Sequence, residues 1–144
     1  RPFRKAPCST GAPPIPMPDG PEPVRRWTKK AEGDLRAARL LLAANPPEPD
    51  AVAFHAQQAV EKYLKAYLAH LGVDPPRTHD LITLFDLIAP HDDRLEPLRE
   101  SARPLSPLAV QVRYPFADAT VEEAREALGH AEDISTAVQQ HLPG

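Results

Sequence analysis

Residues able to bind or transfer a charged group gather at three places in the 144-residue chain. The first is the run FHAQQAVEKYLKAYL at 54–68, which carries His55, Gln57, Gln58, Glu61, Lys62 and Lys65 within about three helical turns. Together they suit a polar face for a nucleotide or a protein partner. They equally suit the solvated side of an amphipathic helix, with Glu61 and Lys65 paired four residues apart. His55 either meets phosphate and serves acid–base chemistry, or packs and hydrogen-bonds at a helix junction beside Phe54. The second place is THDL at 78–81, where His79 stands between Thr78 and Asp80. At a helix start these side chains either satisfy unpaired backbone N–H groups or help receive an anion. The third is Arg113-Tyr114 ahead of Pro115, whose restriction of the preceding backbone helps to fix two good binding or interface side chains.

The elements that must position these groups are helical. Trp27, Ala31, Leu35, Ala38, Leu41 and Leu42 recur at intervals of three and four, predicting a helix to about Ala44. Asn45-Pro46-Pro47-Glu48-Pro49-Asp50 stops it, and Asp50 is expected to cap the next helix. That second helix, ending at Gly72, carries Phe54, Leu64, Leu68 and Leu71 on one stripe and Val60, Tyr63 and Tyr67 on another, enough to meet more than one neighbour. Thr78 or Asp80 caps a short helix bearing Leu81, Leu84, Phe85 and Ile88, which Pro90 ends. A helical stretch is expected from about Asp92 to Ala102, with His91-Asp92-Asp93 as its N-terminus, and a turn-rich connection follows. Thr120-Val-Glu-Glu123 matches a capping box opening a last helix with Val121, Ala124, Leu128, Ala131, Ile134 and Val138 on its apolar stripe.

Composition narrows the function classes. A formal net charge of -3 gives no general electrostatic footprint for DNA or RNA. The single Cys8 forms no internal disulfide, no apolar run approaches a membrane span, and RPFRKAPC does not read as a secretory signal, so the expected compartment is the cytoplasm. The six histidines show no paired spacing, and no metal or cofactor is expected. Eight of the nineteen prolines fall in residues 1–23, predicting a disordered tail, with residues 1–16 read either as foreign to the native product or as an extension upstream of Met17. Residues 24–144 are expected to form one all-α domain.

The run Phe54-His55-Ala-Gln57-Gln58-Ala-Val-Glu61-Lys62-Tyr-Leu-Lys65-Ala, the downstream Thr78-His79-Asp80-Leu81, and Arg113-Tyr114-Pro115 before an Ala-rich last helix resemble the HEPN domain family over roughly residues 24–144. The resemblance implies an antiparallel up-and-down bundle of four to five helices, frequent homodimers, and pairing with a minimal nucleotidyltransferase. It implies a nucleotide-binding or nucleotidyltransferase-partner role in a toxin–antitoxin-type system, with His55, Gln58, Lys62, His79, Arg113 and Tyr114 as ligand- or partner-binding candidates. The alternative is a metal-independent ribonuclease, in which histidine acts as acid or base and arginine stabilises phosphate charge. His79 and Arg113 are its catalytic candidates. The usual histidine four to six residues after that arginine is absent here. Arg125 and His130 match the spacing, but a five-residue helical step of about 140° puts them on different faces.

Overall fold

The computed structural model of the chain describes residues 22–105 and 118–143, so Arg113 and Tyr114 lie outside the described residues, as does the proline-rich stretch to residue 21. Its elements are α1 (Glu22–Ala43), α2 (Pro49–His70), α3 (Leu81–Ile88), a 3-10 turn (Glu96–Leu98), the single turn α4 (Arg99–Ala102) and α5 (Val121–His141). The fold is all-α, and the described residues contain no strand.

Helix α1 starts at Glu22, with Pro23 in its first turn, where a missing N–H leaves no helical bond unmade. Ala31, Leu35 and Ala38 are buried as their spacing predicts, whereas Trp27, Leu41 and Leu42 are only partly covered. The backbone N–H of Glu48 donates to the Leu41 carbonyl at 3.2 Å, closing the proline-rich loop into α2.

Helix α2 packs on α1, α3 and α5, and its side chains are buried around most of its circumference. Leu64, Leu68, Val60, Tyr63 and Tyr67 are core residues, but Phe54 is 45% exposed, contrary to its expected place on the apolar stripe. Phe54 points away from the covered side of α2, since its neighbours Val52, Ala53 and Ala56 are all buried. Asp50 is not the N-cap either. Glu48 holds that position, and Asp50, inside the first turn, accepts the Ala119 N–H at 2.7 Å through Oδ1, tying α2 to the entry of α5. At the other end Gly72 takes φ 80°, and the N–H groups of Val73 and Gly72 reach back to the Leu68 and Ala69 carbonyls. This left-handed residue satisfies the last carbonyls as a Schellman closure does.

Asp80 caps α3, accepting from the Ile82 N–H at 3.1 Å, while Thr78 accepts the Asp80 N–H. The stretch expected to be helical from Asp92 is shorter, because the Asp92 carboxylate is taken up by Tyr67 and the Arg94 side chain and Pro97 enters the 3-10 turn. Thr120 and Glu123 form the expected reciprocal capping box of α5, whose Ala124, Leu128, Ala131, Ile134 and Val138 are buried.

Candidate functional site

Gln57, Glu61 and Lys65 repeat every four residues along α2, so they lie nearly above one another. All three are buried, which overturns their reading as a solvated helix side. A helix enclosed by three neighbours has little solvated side to offer. Glu61 sits at the centre of this stripe. Its Oε2 accepts from Lys65 Nζ at 3.0 Å, and its Oε1 lies 2.9 Å from Nδ1 of His79, at the mouth of α3. Gln57 Nε2 donates to the His79 carbonyl at 3.0 Å, so helix α2 grips residue 79 by backbone and by ring. Gln58 adds its amide N–H groups to Gln57 Oε1 at 2.9 Å and Glu61 Oε1 at 3.4 Å. Lys65 also lies 5.4 Å from the centre of the Trp27 ring, a further partner for a charge held out of water.

The two members of the Glu61–His79 pair differ sharply in exposure: 4% for the carboxylate and 71% for the imidazole. An ionised carboxylate only accepts, so Nδ1 donates to Glu61, and Nε2 faces the surface, an acceptor in the neutral ring and a donor in the charged one. Among the described residues Nε2 has no partner.

A second group repeats the pattern one stripe away. Asp34 of α1 places Oδ1 2.8 Å from His55 Nδ1 and Oδ2 2.5 Å from Lys62 Nζ. The expected junction role of His55 is thus met by α1, while its ring lies edge-on to Phe54 at 5.3 Å between centroids. The structure brings His55 and Lys62 together through Asp34, and Gln58 and His79 together through Glu61. Asp34 is absent from the candidates that the sequence suggests, although it adjoins the buried Leu35 and stands three and four residues from Ala31 and Ala38. A carboxylate at the edge of a core stripe signals a buried partner.

A third polar group holds the end of α2 to the following turn. The Tyr67 hydroxyl donates to Asp92 Oδ2, and Arg94 Nη2 donates to that carboxylate at 2.7 Å and to the Tyr67 hydroxyl at 3.1 Å. Asp92 therefore belongs to this lock and not to a helix N-terminus. Hydrogen bonds from Arg94 and Tyr67 hold its carboxyl well below the usual carboxylate range, and Arg94 is raised in turn by Asp92. Burial, reinforced by Asp92, pushes the Tyr67 phenol up. Tyr63 is also raised, chiefly by burial.

Arg125 engages Glu122 at 3.9 Å in the first turn of α5 and is over half exposed, and among the described residues no hydrogen bond or ion pair joins it to His130. Among the described residues, no group of three or more His, Cys, Asp or Glu forms a cage for a cation, and no helix is long and apolar enough to cross a membrane.

Compared with known proteins, residues 24–141 match the HEPN domain family. The crystal structure of TT1696 from Thermus thermophilus superposes with a TM-score of 0.68 at 29% sequence identity, over 83% of this chain and 98% of that one. None of the curated proteins compared with the chain matches it.

Proposed function

The chain belongs to the HEPN domain family, and on that premise we propose that it is a nucleotide-binding protein whose ligand meets α2 around His55, Gln58, Lys62 and His79. The observation that carries this reading is the Glu61–His79 pair, a buried carboxylate fixing an exposed imidazole. Its Nε2 accepts from a nucleoside N–H or hydroxyl, and on protonation it donates to phosphate. Gln58 uses its amide N–H groups within the protein, which leaves its oxygen to accept from an exocyclic amine. Because these groups are positioned before the ligand arrives, little ordering remains to oppose binding.

A minimal nucleotidyltransferase as partner, in a cytoplasmic toxin–antitoxin-type system, completes the proposal. A homodimer suits it, since Leu40 on α1 and Phe54 on α2 are 67% and 45% exposed and offer apolar area to a second copy.

Calorimetric titration of AMP and ATP into the wild type and into His79→Ala tests the binding reading. The expected result is an affinity about ten-fold lower in the variant, the size of one hydrogen bond to a charged group. Equal affinity in both proteins would remove His79 from the site.

A second reading is favoured by the same pair, because a carboxylate-held imidazole is also the arrangement of a general base. It makes the protein a metal-independent ribonuclease with His79 as base and Arg113 as the phosphate-stabilising group. RNA cleavage in EDTA that disappears in His79→Ala would favour this reading over simple binding.

A further inference from the structure

A cavity of about 360 Å3 opens between α1, α2 and α5 and shares no residue with the groups around Asp34 and Glu61. Its walls are two matched helical stripes, with Glu32, Arg36 and Arg39 on α1 facing Glu132, Ser135 and Gln139 on α5. Tyr63 reaches it from α2. Two hydroxyl residues at this cavity are deeply buried, Tyr63 at 1% and Ser135 at 5% exposure. Gln139 Nε2 donates to the Tyr63 hydroxyl at 3.0 Å, fixing the phenol from the α5 side. Arg39 and Glu132 join across the cavity at 2.8 Å. Arg36 and Glu32, both exposed at its rim, have no ion-pair partner among the described residues.

The charges select the ligand. Two guanidinium groups and two carboxylates line the same space, so a simple anion meets as many carboxylates as cations, and a simple cation fares no better. An apolar ligand would strip water from charged and hydroxyl groups without replacing its hydrogen bonds. A small molecule carrying both charges satisfies the rim. Its carboxylate suits the planar fork of Arg36, its ammonium suits Glu32, and its remaining atoms lie toward the floor where Ser135 and Gln139 hold the Tyr63 hydroxyl. The volume, near the lower end of the roughly 300–1,000 Å3 usual for small-molecule sites, suits a ligand of amino-acid size. We propose that this cavity binds a free α-amino acid, at a site separate from the nucleotide face of α2.

The test follows the full chain by saturation-transfer NMR and by melting temperature, with each standard L-amino acid at millimolar concentration. Sodium acetate and methylammonium chloride serve as probes carrying one charge only. The proposal expects transfer to one or a few amino acids, with a raised melting temperature, and none to either single-charge probe. Arg36→Ala is expected to weaken that binding about ten-fold or more, since it removes a charge-assisted hydrogen-bond pair. The unliganded melting temperature of this variant should stay at the wild-type value, because the side chain is exposed and unpaired. Ser135→Ala, deeper in the cavity, is expected to change the ranking among amino acids. Absence of transfer to every amino acid would overturn the site. So would acetate binding as well as the amino acids, or Arg36→Ala retaining full affinity.

Discussion

Glu61 and His79, 18 residues apart in sequence, meet at 2.9 Å between Oε1 and Nδ1, and the carboxylate that holds the exposed ring is itself held by the buried Lys65. The position of the imidazole is therefore a property of the core of α2 and not of the loop that carries it. Gln57 adds a bond to the His79 carbonyl, so residue 79 has little freedom to turn away. A binding group on a loop is ordinarily mobile, and here the packed helix beneath supplies the rigidity.

Removing the centre of this stripe should be strongly destabilising. Glu61→Ala leaves Lys65, with only 7% of its side chain exposed, as an unpaired buried cation. The expected loss is about 3–5 kcal/mol in urea denaturation. The double variant Glu61→Ala with Lys65→Met should recover a large part of it, because no uncompensated charge remains.

Much of this architecture is legible in the sequence. The capping box at Thr120 and Glu123, the stop at Gly72 and the apolar stripe of α3 are local signals, set by residues within one or two turns of each other, and the structure has all three. The polar face expected on α2 fails for Gln57, Glu61 and Lys65 because helical spacing shows which residues share a face and not what lies against it. The two apolar stripes of α2 hold the missing signal, since a helix apolar on two sides is central and has little surface left for solvent. Asp50 has the residue type of an N-cap, yet the Ala119 N–H claims its carboxylate from 69 positions away. Asp34 and Asp92 likewise take their roles from residues remote in sequence, Asp34 from His55 on α2 and Asp92 from Tyr67. No local pattern encodes such pairings.

The lock between α2 and the turn after α3 should appear in the acid limb of stability. Asp92 has a folded pKa below its unfolded value of about 3.9, so its contribution is complete above that value and is lost as pH falls through the folded one. Glu96, lowered by Arg99, acts in the same direction. Urea midpoints measured between about pH 6 and pH 2 should fall steadily for the wild type and less steeply for Asp92→Asn, which lacks the titrating group.

At the alkaline end the sign reverses. Burial raises Tyr63 and Tyr67 above the ordinary phenol value of about 10, so the neutral form is favoured by folding. Their contribution is present below that value and is lost as pH rises through the folded ones. Ultraviolet titration of the folded protein should show two tyrosines ionising later than a free phenol. Tyr67→Phe should remove one of them and, by taking a donor from Asp92, lower the melting temperature.

The nucleotide reading rests on the imidazole of His79, and the most direct measurement is the imidazole 15N–1H NMR spectrum as AMP is added. The account predicts that free His79 carries its proton on Nδ1, and that its Nε2 resonance moves as AMP saturates while the resonances of His141, at the C-terminal end of α5, stay in place. A His79 spectrum unmoved by millimolar AMP would contradict the claim that this ring meets the ligand.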